Sequence, residues 1–235
     1  ERFDHARFFV SLAEARTMDP QQRLLLESSY HALHVGGATG ATSIPAIVGV
    51  YLGLERPDWG IRQVFLYGME STSVYDITSE ASCVAAGRLS FVMDLHGPCV
   101  AIDAACASAL AAVHGAMGAL GRGECDASVA SAASFKLAPN ASLCCASASM
   151  LSPDGRCKTF DRTANGYARS EAVVACLLSV PRGEEDAATT VRACAAHVAC
   201  RSASAAAAAV RGGACRGGRL LSVSSGRVET GGRGG

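Results

Sequence analysis

The 235 residues read as an α/β chain, and three features of the sequence say so. Along most of the chain, segments with a helical period alternate with short runs of β-branched, aromatic or small apolar residues. That is the pattern of strands covered by helices. Hydrophobic residues make up 49%, enough for a substantial core in one large domain or two small ones. The longest apolar run, AIVGVYLGL at 46–54, falls well short of a membrane span, so no membrane association is expected.

The first element is a helix over 18–33, MDPQQRLLLESSYHAL. Asp19 is placed to cap it, Pro20 suits its first turn, and Gln22 falls at the capping-box position. Leu25, Leu26, Tyr30 and Leu33 fall on one face, and Gly36 and Gly37 end the helix. A strand follows at 46–54, rich in β-branched and aromatic residues. Residues 56–76 are mixed and read as loop with short structure, whereas 78–92 predict a helix with small residues on one side. Pro98 then breaks any helix, and 100–102 read as a buried strand. Residues 107–121 have high helix propensity and stop at Gly121 and Gly123, and 126–135 read as another buried strand. The stretch 150–171 is a long polar loop with turn chemistry at Ser152-Pro153-Asp154-Gly155, and 172–180 is the last strand.

Beyond Pro181 the composition changes to Ala, Gly, Arg and Ser, with no Phe, Tyr, Trp or Lys. Such a segment buries too little apolar area to offset the entropy of ordering it, so 181–235 is expected to be a weakly ordered, low-complexity tail behind a unit at 1–180. Charge balances at 21 basic against 21 acidic residues, but the tail holds eight Arg against Glu184, Glu185, Asp186 and Glu229. That surplus lacks the aromatics and basic helix periodicity of a nucleic-acid surface, so no nucleic-acid partner is expected.

Eleven cysteines is an odd number without framework spacing, and the charged opening ERFDHARFF carries no signal-peptide pattern. Reduced thiols in a reducing, intracellular compartment are therefore expected, although targeting is not readable from a chain that opens without Met. Cys194, His197 and Cys200 lie close together but lack a fourth ligand, so no metal site is expected.

Cys106 stands apart from the other ten cysteines. It sits in IDAACASAL (102–110), where a strand runs into a turn and then a helix. At such a turn the free N–H groups of the helix converge, and the positive end of its dipole stabilises a thiolate. The same N–H groups can hold an oxyanion during acyl transfer, and Ala104, Ala105, Ala107 and Ser108 are small enough to let a substrate carbonyl approach. Geometry alone is not specific, since a cysteine at a strand end is more often a small buried hydrophobe.

Four stretches add a resemblance. DPQQRLLLE (19–27), GRLSFVMDLHGPCVAIDAACASAL (87–110), GECD (123–126) and MLSPDGRCKTFDRTANGYARSE (150–171) resemble successive motifs of the β-ketoacyl synthase, or ketosynthase, domain, most closely that of modular type I polyketide synthases. They occur in family order and spacing and cover essentially all of 1–180. The resemblance implies a thiolase-like layered α-β-α-β-α fold, of which this chain holds roughly the N-terminal half. It aligns Cys106 with the family's active-site cysteine. It further implies a homodimer, with 97–103 as the candidate interface, and an acyl carrier protein as partner. The implied reaction is a decarboxylative Claisen condensation in polyketide or fatty-acid chain elongation. Substrates arrive on the carrier's phosphopantetheine, and no bound metal or redox cofactor is needed.

The chain also departs from that pattern. The family's two further catalytic histidines stand in H-G-T-G-T and N-I-G-H motifs, and neither motif occurs here. His5, His31, His34, His96, His114 and His197 stand in other contexts; His114, eight residues after Cys106, reads as a packing residue. Two alternatives follow. One is a truncated, catalytically incomplete ketosynthase, acting as a pseudoenzyme or dimerisation partner. The other is a cysteine hydrolase, which requires a histidine within hydrogen-bond reach of Cys106 Sγ.

Overall fold

The computed structural model describes residues 3–37, 47–68, 73–180, 190–199 and 221–224. The N-terminal turn at His5–Phe8 leads into α1 (Leu12–Thr17), whose Ser11 hydroxyl accepts the Glu14 N–H at 3.1 Å. α2 (Pro20–Val35) starts as its sequence predicts, with Pro20 in the first turn and Asp19 Oδ1 accepting the Gln21 N–H at 2.7 Å. Leu25, Leu26, Ala32 and Leu33 are buried, and the helix stops at Gly36. Gln22 does not close a capping box. Its amide donates to the Thr78 carbonyl, and its Oε1 accepts from Arg88 Nε, which ties α2 to later helices.

β1 (Val48–Leu54) is buried at all seven residues, which explains its unbroken apolar run: both faces are covered. Residues 56–76, read as loop with short structure, include a nine-residue helix, α3 (Trp59–Tyr67). Its Ile61, Val64, Phe65 and Leu66 remain substantially exposed, so no single buried stripe marks it in the sequence. The helix expected over 78–92 is two helices, α4 (Asp76–Glu80) and α5 (Ser82–Val92), divided where Ala81 turns extended. Arg88 of α5 pairs with Glu14 of α1 at 2.5 Å.

β2 (Cys99–Ile102) departs from the sequence reading in a second way. Among the described residues it pairs with β1 alone, Cys99 and Val100 are exposed, and Ala101 and Ile102 are half-buried. An edge strand, not a buried one, results. α6 (Ser108–Gly121), β3 (Ala127–Ser134) and β4 (Glu171–Ser179) follow the sequence, with a further helix, α7 (Asn140–Ser147), between the two strands. β5 (Thr190–Ala199) and β6 (Leu221–Ser224) come from the stretch expected to be weakly ordered and continue the sheet, while the rest of 181–235 lies outside the described residues.

The strand order is β2-β1-β3-β4-β5-β6, with β2, β1 and β3 parallel and the remaining pairings antiparallel. Alternation along the strands builds two cores. Val50, Leu52 and Leu54 of β1 pack with Leu25 and Leu26 of α2 and Ala85, Ala86 and Leu89 of α5. Tyr51, pointing the opposite way, packs with Ala112, Ala116, Ala119 and Leu120 of α6. The described residues thus form helix–sheet–helix, three layers of the five that the resemblance implies.

Candidate active site

Cys106 is exposed on the turn between β2 and α6. β2 is held in register with β1, Ile102 opposite Gly53, and the chain then leaves the sheet at Asp103. Ala105–Ala107 form one 3-10 turn, closed by the Ala107 N–H on the Ala104 carbonyl at 3.0 Å, and α6 begins at Ser108. Ala105 has φ 50°, the left-handed conformation that residues with a Cβ seldom adopt.

Beside the backbone bonds, among them the Ser108 N–H to the Ala105 carbonyl, three side-chain hydrogen bonds hold that turn. Asp103 Oδ1 accepts the Ala105 N–H at 3.0 Å. Ser108 Oγ accepts the Ala104 N–H at 2.9 Å and donates to the Ala105 carbonyl at 2.7 Å. Beneath it lies Gly53. A Cβ there would meet Ser108 C and O at 2.5 Å and Ala109 N at 2.8 Å, so only glycine lets the start of α6 rest on β1. Ala104, Ala105 and Ala107 are exposed beside the thiol. Ser108, expected among these permissive neighbours, is instead buried and turned into the turn.

No side chain hydrogen-bonds Cys106 Sγ among the described residues. His114, two turns along α6, is exposed; His5 bonds the Val10 carbonyl, and His96 pairs with Asp94. The contact that a cysteine hydrolase requires is therefore absent among the described residues. They also hold no group of three or more His, Cys, Asp or Glu able to bind a metal ion, and the side chains of Cys194, His197 and Cys200 lie outside them.

The loop at 150–171 is closed at its neck. The Tyr167 N–H donates to the Met150 carbonyl at 3.1 Å and the Ser152 N–H to the Tyr167 carbonyl at 3.0 Å. Gly166, at φ 130°, has Leu151 C and Ser152 N within 2.5 Å of where a Cβ would stand. Inside the loop, Lys158 Nζ donates to Asp154 Oδ2 at 2.8 Å and to Asn165 Oδ1 at 3.2 Å, and Ser152 Oγ also donates to Asp154. These bonds hold the Asp154 carboxyl well below the usual range. A separate cavity of about 450 Å³ is lined by Lys136, Pro139, Ser142, Arg169 and Glu171, with Cys106 not among its walls. Burial, then the Arg169 charge, pushes the Lys136 ammonium down. Lys136, Ser142 and Ser170 are its polar lining groups beside the Arg169–Glu171 segment, and no cysteine lines it.

Comparison with known proteins agrees with the motifs. Residues 1–181 match the family model of the β-ketoacyl synthase N-terminal domain. A fatty acid synthase from Anser anser anser is 40% identical over 178 residues, covering 76% of this chain and 50% of that protein. A highly reducing polyketide synthase from Penicillium polonicum is 38% identical over 178 residues, 75% of this chain and 7% of that one. Among solved structures, the ketosynthase from module 6 of the bacillaene synthase of Bacillus subtilis superposes with a TM-score of 0.66 at 31% identity, over 83% of this chain and 33% of that one. The oxazolomycin ketosynthase domain of Streptomyces albus gives 0.63 at 32%, over 74% and 30%. The chain belongs to the β-ketoacyl synthase family, and its fold is that of the thiolase-like ketosynthases. It spans about half the length of the fatty acid synthase and about a third of the solved bacillaene ketosynthase.

Proposed function

We propose that Cys106 is the acyl-accepting nucleophile of a condensing enzyme that elongates polyketide or fatty-acid chains. The observation that carries this reading is an exposed thiol, on a tightly held strand–turn–helix, in a chain of the β-ketoacyl synthase family. The Cys106 thiolate attacks the carbonyl of an acyl thioester borne on the phosphopantetheine of an acyl carrier protein. The carrier's C–S bond breaks, and its thiol leaves with a proton. A malonyl-type extender then loses its carboxylate as carbon dioxide, and the electron pair left behind attacks the acyl-Cys106 carbonyl and expels the thiolate. No bound metal or redox cofactor takes part in this scheme. The exposed edge of β2 supports pairing of two copies, or of this chain with a longer ketosynthase, through 97–103.

A second reading has its own support: no histidine reaches Cys106 among the described residues, and neither family histidine motif occurs in the 235 residues. On it, this chain acylates at Cys106 without condensing. One experiment addresses both. The chain is incubated with butyryl-N-acetylcysteamine and then with malonyl-N-acetylcysteamine, and peptide mass spectrometry locates the acyl group. Labelling at Cys106 that Cys106→Ala abolishes is expected, and release of carbon dioxide separates condensation from acylation alone. Equal labelling of wild type and variant removes Cys106 from its role.

A further inference from the structure

We infer that Ser108 is a positioning residue for Cys106, an inference that rests on the acyl-accepting role proposed for that thiol. The turn carrying Cys106 contains a residue in a conformation it would not choose. Ala105 sits at φ 50°, with a Cβ and no glycine-like freedom. Both of its peptide groups are tied: its N–H to Asp103 Oδ1 and its carbonyl to Ser108 Oγ. The same hydroxyl also takes the Ala104 N–H, so one oxygen bridges the two residues before Cys106 from the far side of it.

The consequence for the nucleophile follows from peptide planarity. In a trans peptide the carbonyl of one residue and the N–H of the next point in opposite directions. Drawing the Ala105 carbonyl toward Ser108 therefore turns the Cys106 N–H outward, where it meets no acceptor among the described residues. Thiol and free N–H are thus presented on the same open turn. Ser108 itself is only 5% exposed, so water is poorly placed to replace its hydroxyl. Close contact with Gly53 holds the Ser108 backbone on the sheet. Without the hydroxyl, the Ala104 N–H loses its partner and the Ala105 carbonyl keeps only the Ser108 backbone N–H, so the left-handed conformation of Ala105 is held less firmly. Any relaxation of Ala105 rotates the Ala105–Cys106 peptide and carries the thiol with it. Ser108 touches no substrate in this scheme; it acts through Cys106.

The test compares three variants with wild type. Ser108→Ala removes the bridge, Ser108→Thr keeps the hydroxyl, and Ser29→Ala removes a buried serine contact, Ser29 to Ser131 at 3.1 Å between α2 and β3, away from the turn. Cys106 acylation by butyryl-N-acetylcysteamine and alkylation by iodoacetamide are both followed by peptide mass spectrometry, alongside thermal melts. Ser108→Ala is expected to lower the maximal acylation rate by about ten- to a hundred-fold, with the half-saturating thioester concentration unchanged. Ser108→Thr is expected to restore the rate. Ser29→Ala should melt earlier yet react at the wild-type rate. Wild-type acylation and alkylation rates in Ser108→Ala, or an equal loss in Ser29→Ala, overturn the inference. If Ser108→Ala does not fold, the temperature dependence of alkylation below the melting midpoint of Ser108→Thr decides: wild-type behaviour supports the bridge, and slowed alkylation despite a retained hydroxyl overturns it. A wild-type chain that never acylates, but whose Cys106 alkylation still depends on Ser108, defeats the nucleophile assignment while the positioning role stands.

Discussion

Replacing Gly53 by alanine should damage the fold and the site together. The added Cβ meets Ser108 C and O at 2.5 Å and Ala109 N at 2.8 Å. All three are backbone atoms, so no side chain can rotate aside. Gly53 lies one residue from the end of a fully buried strand, paired with Ile102 on one side and Ala132 on the other, so β1 has little room to yield either. Overpacking of this kind typically costs about 1–3 kcal/mol, and contact with rigid backbone places this case near the upper end. For a chain of this size that corresponds to a melting midpoint roughly 6–12 °C lower. The opposite outcome is expected at Gly87 in α5, where a Cβ meets nothing within 4 Å. There alanine should stabilise by about 0.5–1 kcal/mol, because it restricts the unfolded chain and suits a helix interior. Urea titrations of both variants, with the iodoacetamide rate at Cys106 measured on each folded protein, make the comparison. Gly53→Ala should also slow or misdirect alkylation, since relief of the clash lifts the start of α6 from β1. A Gly53→Ala protein that melts with wild type and alkylates Cys106 at the same rate would refute the seat assigned to this glycine.

Two further outcomes are expected. Asp19 is 1% exposed, and burial, with smaller additions from Asp58 and Glu80, raises its carboxyl from 3.8 to about 6 despite the Gln21 hydrogen bonds. A carboxyl raised on folding contributes stability that is fully present below its unfolded value and is lost as pH rises through the folded one. Wild type should therefore lose about 3 kcal/mol from this group between roughly pH 4 and pH 7, taking about 1.4 kcal/mol per pKa unit. Asp19→Asn should lack that component in urea titrations, and a pH-independent difference between the two proteins would count against it. At the sheet edge, Val100→Lys should convert a dimer to a monomer in analytical ultracentrifugation while leaving the melting midpoint within a few degrees. A wild-type monomer at high concentration would speak against pairing through β2.

Much of this architecture can be read from local signals. α2 is announced by Asp19, Pro20 and a periodic leucine face, and β1 and β4 by unbroken apolar runs between turn residues. The features that escaped depend on distant partners. Gln22 lies in a capping-box pattern, yet Thr78 and Arg88, far along the chain, claim its side chain. α3 buries too little of its apolar surface to show a stripe, and α7 is a run of small and polar residues without a period. β2 reads as buried because Val100-Ala101-Ile102 is apolar, but burial of a strand depends on having neighbours on both sides. At the site, motif resemblance singled out Cys106. Nothing in the sequence distinguishes Ser108 from its small neighbours, because its role arises only when α6 folds back over Ala104 and Ala105.

The neck of the 150–171 loop separates how the segment is held from what it displays. Backbone bonds at Met150, Ser152 and Tyr167 and a glycine crossing at Gly166 fix its two ends. Phe160, at its far side, is fully exposed in a left-handed conformation. The ring is therefore offered outward by an anchorage it takes no part in, so replacing it should leave the two ends of the segment where they are.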